Sequence, residues 1–301
     1  MAFKAQNLFD NQEDLYFIPG KNRARYPYSN SLLLNDYLID TGISGKFIRK
    51  LKRNFSINHV ILSHWHEDHI SGNHLLENAE FLCHTLDKPI IEKIDKMTKY
   101  YKIEHELIGQ ELNQMIALMG MKNTPINKSL QNNEIINIGD SLQLRVIHTP
   151  GHTAGHLSFL ELKSGIAFLG DIDLTNHPYY GNIDANLIDF EKSIKLLSNL
   201  DFNIVVTGHR GPILGKKKIK EEFAKYQFIL DEREERILQN FSECKKPIKP
   251  SNLKNKNLIY KKYSLFKDFE VLAEELMIEK HFKKLETNNK IIYEGNGYIL
   301  T

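Results

Sequence analysis

One six-residue stretch, residues 64–69, constrains this chain more than any other part of its sequence. It reads His-Trp-His-Glu-Asp-His and directly follows the apolar run 60–62, which predicts a buried strand. The side chains at positions 64, 66, 68 and 69 are all of types that bind metal ions. A strand that ends in such a turn can hold metals without burying an unpaired charge. Imidazole and carboxylate ligands suit zinc, iron or manganese, and the absence of thiolates argues against a structural zinc site.

Three later stretches repeat this arrangement of an apolar run followed by a glycine-bearing turn that carries a histidine or an aspartate. They contribute His152, Asp171 and His209 as candidate ligands. His156 follows at helical spacing, and we interpret it as a structural or orienting residue rather than as a ligand. Strand ends that deliver polar side chains to one edge of a rigid sheet bring those side chains together. The four stretches therefore predict one metal site.

The composition is that of an ordinary globular protein. The 301 residues are 41% hydrophobic and 26% charged, which suits one large α/β domain with a small appendage. The net charge of +2 does not by itself indicate a polyanionic partner. No apolar run approaches the roughly 20 residues that span a bilayer, and the N-terminus has no hydrophobic signal core. Cys83 and Cys244 are far apart and fit a reducing compartment, so we expect a cytoplasmic protein with no membrane partner.

The apolar periodicity alternates between strand-like and helical spacing. The runs 15–18, 31–34 and 37–40 predict strands, with an Asn-Asp hairpin turn between the last two. From about residue 87 to 125 the spacing is helical and longer than a simple crossover requires. We therefore interpret this segment as an inserted helical element in a layered α/β fold.

The character of the chain changes after the last candidate ligand. Residues 216–241 predict a charged amphipathic helix, and a second helix and a hairpin are expected at 268–285 and 290–300. We divide the chain into a catalytic domain, residues 1–225, and a C-terminal tail, residues 226–301. Lysine is abundant in the tail, which keeps nucleic acid open as a partner alongside a small-molecule substrate. The sequence also leaves the oligomeric state open, with a dimer as one alternative.

The motif order resembles that of the metallo-β-lactamase-fold hydrolase superfamily. The motifs are His-x-His-x-Asp-His, Pro-Gly-His, Gly-Asp and Gly-His, and they extend over roughly the first three quarters of the chain. The resemblance implies an αββα sandwich, with two sheets face to face and helices outside. The tail resembles the small winged-helix-like tail of some members. These features are similar to glyoxalase-II-like enzymes and to a lactamase-like branch that includes endoribonucleases.

The resemblance also implies how the ligands divide between two zinc ions, with iron or manganese as alternatives. The first ion takes His64, His66 and His152, and the second takes Asp68, His69 and His209. Asp171 would bridge the two ions, and Asp40, in an Asp-Thr-Gly corner, would support the metal loop. A bridging hydroxide, its pKa lowered toward ~7, would be the nucleophile, and the catalytic Asp68 would carry its proton to the leaving group.

Three further side chains are candidates for substrate binding. Arg210 directly follows a ligand, so its cation is expected near the metals, where it would pair with a carboxylate or phosphate. Tyr179 and Tyr180 follow Asp171 and would stack on the substrate or hydrogen-bond to it. Glu67 lies between ligands in the sequence and is expected to point to solvent.

These residues predict a dinuclear zinc hydrolase that cleaves an ester, thioester, lactone or lactam, with promiscuous β-lactamase activity as a by-product. Two alternatives stay open. The same ligands would serve a metal-dependent endoribonuclease, since the same nucleophile attacks a phosphodiester. Some relatives with the same first motif bind one iron and oxidise glutathione persulfide. The presence of both His69 and His209 favours two metals over a single iron.

Overall fold

The computed structural model describes residues 5–8, 14–104, 106–243, 246–263 and 267–301. Cys83 is buried and free, whereas Cys244 lies outside the described residues. Of the helices within these ranges, none combines the length and the apolarity needed to cross a membrane.

The first sheet follows the chain order of its strands. These strands are β1 (Gln6–Asn7), β2 (Leu15–Ile18), β3 (Ser31–Leu34), β4 (Tyr37–Ile39), β5 (His59–Ile61), β6 (Glu80–His84) and β7 (Lys128–Leu130). The strands β1 to β4 pair antiparallel, whereas β4 to β7 pair parallel. The predicted hairpin between β3 and β4 is confirmed, with Asn35 at φ 51° in its two-residue turn. Asparagine tolerates this left-handed conformation better than most residues.

The second sheet has the order β13-β12-β11-β10-β9-β8. Its strands are β8 (Ile135–Ile138), β9 (Leu142–His148), β10 (Leu157–Glu161), β11 (Ile166–Phe168), β12 (Ile204–Val206) and β13 (Ile213–Leu214). Only the β11–β12 pair is parallel among these described strands, and a helix makes the crossover between its members. A parallel pair requires such a crossover because its strands run in the same direction.

Helices cover the outer face of each sheet. The described α-helices are α1 (Gly45–Asn54), α2 (Glu67–Ile70), α3 (Lys88–Ile91), α4 (Met97–Tyr100), α5 (Glu106–Leu118), α6 (Leu187–Ser198), α7 (Lys216–Glu243) and α8 (Lys267–Thr287). Residues 21–24 form a separate left-handed turn. A C-terminal hairpin follows, made of β14 (Ile291–Glu294) and β15 (Gly297–Leu300).

The burial pattern shows four layers. Successive strand residues point to opposite faces of a sheet. Ile61 and Phe168 therefore lie in the cluster between the two sheets. Their neighbours Val60 and Ala167 lie instead in the clusters between each sheet and its helices. These layers confirm the predicted αββα sandwich.

The segment between β6 and β7 is helical, as predicted for residues 87–125. It contains α3, α4 and α5. Met97, Leu112 and Ile116 from these helices are buried in the cluster that covers the outer face of the first sheet. Burial of such side chains stabilises the element by about 1.5–3 kcal/mol each. The insertion is therefore packed onto the sheet through its apolar side chains.

The C-terminal residues pack against the helices of the second sheet. The predicted division at residue 225 falls inside α7, which continues without interruption to Glu243. Leu276 and Phe282 of α8 are buried, and Phe282 belongs to the cluster that contains Phe190 of α6. A helical C-terminal part is thus confirmed, while its likeness to a winged helix stays a prediction.

Candidate metal centre

All seven predicted ligands follow the carboxyl ends of strands. The first four come after β5, and the others after β9, β11 and β12. They are His64, His66, Asp68, His69, His152, Asp171 and His209. The structure gathers these side chains into two groups. Within each group, the metal-binding atoms all lie within 4.8 Å of one another. Two edges, one from each sheet, therefore build the site.

The first group consists of three imidazoles and one carboxylate. His152 Nε2 lies 3.1 Å from His64 Nε2 and 2.8 Å from His66 Nδ1. His64 Nε2 and His66 Nδ1 are 3.1 Å apart. The carboxylate of Asp171 completes the group. Three ring nitrogens that converge at this spacing are arranged as ligands of one ion.

The second group contains Asp68, His69 and His209. His209 Nε2 lies 3.3 Å from Asp68 Oδ2. This group has two imidazoles and one carboxylate, whereas the first group has three imidazoles and the carboxylate of Asp171. A carboxylate in the set adds negative charge, which offsets the charge of a second cation.

Asp171 lies between the two groups and reaches both. Its Oδ2 is 3.5 Å from His152 Nε2 and 3.3 Å from His209 Nε2. Its Oδ1 is 3.0 Å from His69 Nε2. One carboxylate therefore contacts a member of each group, which is the arrangement that a bridging ligand requires.

The outward nitrogens of three ligands are held by hydrogen-bond acceptors. His69 Nδ1 lies 2.7 Å from Asp40 Oδ2, and His152 Nδ1 lies 2.8 Å from the carbonyl oxygen of Tyr179. His209 Nδ1 lies 2.8 Å from the carbonyl oxygen of Ala24. These acceptors require a proton on Nδ1. In the neutral ring, Nε2 then presents a lone pair to the site, as a metal ligand must.

His64 is oriented through a hydroxyl. The Ser63 hydroxyl donates to Asp40 Oδ2 at 2.7 Å and lies 2.9 Å from His64 Nδ1. A hydroxyl has one proton to donate, so Ser63 accepts from His64 Nδ1. Asp40 therefore acts on His64 through Ser63 and on His69 directly.

The residues present fit divalent metal ions. His64 and His152 direct their Nε2 lone pairs at each other across 3.1 Å. His69 Nε2 and Asp171 Oδ1 are buried without a hydrogen-bond partner that satisfies them. Buried lone pairs that face one another are unfavourable unless a cation lies among them. Imidazole and carboxylate donors without thiolate match zinc, iron or manganese.

Burial keeps the first group ready for a cation. It lowers the pKa of His64 and His66 well below the usual value for histidine, and the neighbouring rings lower it further. The pKa of His152 is lowered as well, again mainly by burial. All three rings are therefore neutral at neutral pH, which is the form that binds a metal.

The second group holds protons more tightly. Burial acts to lower the pKa of His69 and His209, but the nearby carboxylates, Asp171 foremost, together outweigh it and raise both values well above normal. Burial acts to raise the pKa of Asp171, and these two histidines instead hold it well below its usual range. Ion binding at this group must displace protons, so its affinity falls as the pH falls.

Two glycines allow the strand ends to approach this closely. A Cβ at Gly208 would lie 2.4 Å from Asp171 Oδ1 and 2.5 Å from His69 Cε1. Gly170 adopts φ +54°, and a Cβ there would lie 2.5 Å from His156 Nε2. A side chain at Gly208 would displace two candidate ligands, and a side chain at Gly170 would displace His156, so the glycines in these turns have a steric role.

The left-handed turn at residues 21–24 has a specific function at the site. Asn22, Arg23 and Ala24 have φ values of 53°, 61° and 54°. This conformation costs roughly 1–2 kcal/mol for a residue with a Cβ. The turn directs the Ala24 carbonyl oxygen at His209 Nδ1. Strain retained next to a candidate ligand is typical of functional sites.

Glu67 does not point to solvent, contrary to the prediction from sequence. Its side chain is buried, and its carboxylate accepts hydrogen bonds from Tyr26 at 2.8 Å and Tyr101 at 2.6 Å. The Tyr101 ring stacks on His66, with centroids 5.7 Å apart. The ring of Tyr179 also contacts His66, edge to face. These tyrosines form an aromatic wall beside the first group.

The three predicted substrate-binding residues have different surroundings. Only Tyr179 faces the ligands, since its ring also contacts His152. Tyr180 is fully buried, and its hydroxyl is bonded to the C-terminal part of the chain, which corrects the expectation of a substrate contact. The Arg210 guanidinium donates hydrogen bonds to Glu222 at 2.5 Å and to the carbonyl oxygen of Leu174 at 2.7 Å, rather than facing the ligands.

His156 acts on the site through the backbone. Its Nε2 accepts a hydrogen bond from the Asp171 N–H at 2.9 Å, and its Nδ1 lies 2.9 Å from the Thr149 hydroxyl. It therefore orients the loop that carries Asp171, in agreement with the sequence-based interpretation. Neither nitrogen belongs to a group of metal-binding atoms among the described residues.

The sequence reasoning missed two carboxylates that join the ligand loops. Asp87 accepts hydrogen bonds from the backbone N–H groups of Trp65 at 3.1 Å and Gly155 at 2.7 Å. Asp184 accepts from the Trp65 indole at 3.2 Å and the Ala154 N–H at 3.1 Å. Both connect the loop after β5 to the loop after β9. Neither has a local sequence signal, because its partners are distant along the chain.

Replacement of Gly208 by alanine is expected to disrupt the site. The new Cβ would push Asp171 and His69 apart, so metal affinity should fall at least about tenfold. The measurement is metal content per chain by mass spectrometry, with titration of the metal-free protein. Gly211→Ala is the matched control, since a Cβ there meets no atom within 4 Å. Normal metal affinity in Gly208→Ala would contradict the close approach described above.

Replacement of Glu222 by glutamine is expected to destabilise the protein in a pH-dependent way. Hydrogen bonds, first from Arg210 and also from Lys218 and Lys225, lower the pKa of Glu222 from 4.5 to about 2. A depressed carboxyl pKa contributes stability above pH 4.5 that is lost as the pH falls toward 2. At pH 7 the free energy of unfolding should drop by about 1–2 kcal/mol.

Denaturant unfolding of the metal-free protein at several pH values measures this effect. The difference between the wild type and Glu222→Gln should shrink between pH 4.5 and 2, because the protonated carboxyl then resembles the amide. A difference that does not change with pH would show that the ion pair contributes little. Asp201→Asn is the control, since its pairing with Lys216 is exposed.

Comparison with known protein families gives a match to the part of the chain that contains this site. The model of the metallo-beta-lactamase superfamily matches residues 27–209, a segment that contains all seven candidate ligands. A metallo-beta-lactamase family protein of Thermus thermophilus has a similar structure. The two share 20% sequence identity and a TM-score of 0.71, over 96% of this chain and 99% of that one. This likeness agrees with the fold described above.

Two curated relatives have names that describe hydrolases. A protein of Methanocaldococcus jannaschii, described as a probable metallo-hydrolase, is 36% identical over 144 residues, which are 45% of this chain and 64% of that protein. A hydroxyacylglutathione hydrolase of Haemophilus influenzae is 32% identical over 99 residues, which are 31% of this chain and 45% of that protein. These findings confirm the prediction of a metal-dependent hydrolase. The chain belongs to the metallo-beta-lactamase superfamily.

Proposed function

We propose that this protein is a dinuclear zinc hydrolase that cleaves a small acyl substrate, with a thioester as the first candidate. The observation that carries this proposal is the position of Asp171, whose carboxylate contacts His152 of the first ligand group and His69 and His209 of the second. Two cations held close together repel each other, so an anionic group between them is required.

The donor set supports zinc. Five imidazoles and two carboxylates, with no thiolate, form the two groups. Imidazole is a preferred zinc ligand, and a catalytic zinc site keeps a position open for water or substrate. Iron and manganese accept the same donors, so metal identity is part of the test. Two divalent ions bound there would lower the pKa of a water molecule toward ~7 and polarise the substrate carbonyl.

The residues of the chain have separate tasks in this proposal. Asp68 accepts the proton of the attacking water and transfers it to the leaving group, a role typically worth 10²–10⁴-fold in rate. Its carboxylate is almost fully buried and lies 3.3 Å from His209 Nε2, so it is held in one orientation. Tyr26, Tyr101 and Tyr179 supply an aromatic surface beside the first group, suited to an acyl chain or ring.

The pairing of Arg210 favours hydrolysis of an acyl bond over cleavage of a phosphodiester. A nuclease needs cations close to the metals to bind the phosphate backbone. The guanidinium nearest in sequence to the ligands is instead paired with Glu222. The relative from Haemophilus influenzae is named for an acylglutathione, which is a thioester. Ester, lactone and lactam bonds present the same carbonyl chemistry and belong in the same assay.

Metal content of ligand variants tests the dinuclear proposal. The wild type should bind about two ions per chain. His152→Ala and His209→Ala should bind about one each, because each substitution removes one ligand from one of the two groups and so prevents that group from holding its ion. The measurement is mass spectrometry of protein purified without chelator or added metal. His59→Ala is the control. His59 is the first residue of β5, at the opposite end of that strand from the ligands, and its ring contacts Asp36, so its replacement should leave both ions bound.

The outcomes separate the alternatives. Equal metal content in the wild type, His152→Ala and His209→Ala would refute the proposed ligand sets. One iron per chain in the wild type would refute the dinuclear proposal and favour oxidation of a persulfide.

Replacement of Asp68 by asparagine tests the catalytic role of this carboxylate. The amide cannot take up the proton, so kcat/KM for a thioester should fall by about 10²–10⁴. The assay panel contains a thioester, an ester, a lactone, a β-lactam and a labelled RNA, each measured with metal saturating. Asp201→Asn makes the same chemical change at an exposed position and should leave turnover unchanged.

RNA cleavage that is lost in Asp68→Asn, without turnover of any acyl substrate, would move the assignment to an endoribonuclease. Turnover that is equal in the wild type and Asp68→Asn would refute the proton-transfer role.

A further inference from the structure

The segment 178–183 connects the Asp171 loop to helix α6 and touches the candidate metal centre through its backbone. The Tyr179 carbonyl oxygen accepts the hydrogen bond from His152 Nδ1 at 2.8 Å. The Asn182 side chain also donates to the carbonyl oxygen of His152, at 3.1 Å. Groups that orient a ligating histidine typically contribute 10–100-fold to metal affinity. The position of this segment therefore bears directly on the first ligand group.

The C-terminal part of the chain holds the residues on both sides of Tyr179. Arg233, on α7, donates from Nη1 to the Pro178 carbonyl oxygen at 2.6 Å and to the Tyr180 hydroxyl at 3.2 Å. Its guanidinium also lies over the Tyr180 ring, 5.5 Å from the centroid. One buried arginine thus holds the Pro178 carbonyl group and the Tyr180 side chain, on the two sides of the residue whose carbonyl oxygen orients His152.

A second C-terminal residue completes this chain of hydrogen bonds. The Tyr180 hydroxyl lies 2.8 Å from His281 Nε2, on α8. Since the hydroxyl oxygen accepts from Arg233, its own proton is free to be donated to His281. Burial, together with nearby cations, holds the pKa of His281 well below its usual value, so the ring is neutral and can accept. The direction of all the bonds is therefore consistent.

The same helix also holds the far end of the segment. Lys280 donates to the Ile183 carbonyl oxygen at 3.1 Å. Ala273 packs so closely on Gly181 that a Cβ there would lie 3.0 Å from the alanine Cβ. Hydrogen bonds at both ends and a close contact between them hold the segment against α7 and α8.

We propose that Arg233 and His281, through Tyr180, are positioning residues for the candidate ligand His152. The C-terminal part of the chain would then serve the catalytic domain by setting the first metal site rather than by contacting substrate. This inference rests on the proposed metal centre.

The burial of Arg233 supports a positioning role over simple packing. Its side chain is 2% exposed, and none of the ion pairs found among the described residues, which include that of Arg210 with Glu222, involves Arg233. Its Nε is buried without a partner among the same residues. An unpaired buried cation is costly, and an apolar side chain of similar size would pack at lower cost. What the guanidinium adds is the pair of directed hydrogen bonds to Pro178 and Tyr180.

The test measures zinc affinity in the full-length protein, by competition with a chromogenic chelator. Tyr180→Phe keeps the ring and removes both hydrogen bonds of the hydroxyl. Arg233→Met keeps most of the side-chain volume and removes the donors. For either variant we expect one of the two zinc dissociation constants, that of the ion held by His64, His66 and His152, to rise about 10–100-fold. Thermal unfolding of the metal-free proteins measures stability in parallel.

Lys284→Met is the matched control. Lys284, on α8, bonds to Glu191 and Glu234, each at 2.7 Å, and joins the helices without a hydrogen bond to the segment 178–183. Its replacement should lower the midpoint of thermal unfolding and leave zinc affinity within about twofold. A loss of stability alone therefore does not mimic the expected result.

His152→Ala, measured in the same way, separates the two levels of the proposal. Unchanged zinc binding in His152→Ala would refute the proposed metal centre itself. Loss of affinity in His152→Ala together with wild-type affinity in Tyr180→Phe would refute the positioning role alone. Tyr180→Phe decides this point even if Arg233→Met does not fold, because it changes one hydroxyl in an otherwise intact core.

Discussion

The buried carboxylate of Asp40 is the constraint on which the geometry of the site depends. It is inaccessible to solvent and lies directly after β4, with φ 60°. Its oxygens accept from the Ser63 backbone N–H and hydroxyl and from His69 Nδ1, each at 2.7 Å. Through Ser63 it also sets the tautomer of His64. One carboxylate thereby orients a ligand of each group, so the two metal positions are linked through the protein as well as through Asp171.

This arrangement depends on strands that end at one place. β4 and β5 pair parallel, so the turn with Asp40 and the turn with His64 leave the same edge of the first sheet. The parallel pair β11–β12 does the same for Asp171 and His209 in the second sheet. Because the sheets pack face to face, these edges meet above the common core. Rigid strands therefore carry the ligands, while irregular turns supply the acceptors that orient them.

The sequence was sufficient to identify the candidate ligands that the structure brings together, because five of the seven belong to two short motifs in which residue type and spacing are both informative. It was not sufficient to predict their acceptors. The carbonyl oxygens of Ala24 and Tyr179 have no side-chain signature, and Ala24 lies 185 residues from His209. Glu67 was misassigned for the same reason, since Tyr26 and Tyr101 are 41 and 34 residues away. Tertiary packing determines these contacts.

Arg210 and Arg233 show why charge alone is a weak guide to function. Arg210 directly follows a ligand, yet Glu222, at the start of a charged helix, pairs with it. Arg233 lies in that same helix, which the sequence predicted to be charged and amphipathic, yet it is buried and bonded to Pro178 and Tyr180. A guanidinium carries its charge even where it is buried. Its cost must therefore be offset by directed bonds, and those bonds lead to the backbone that orients His152.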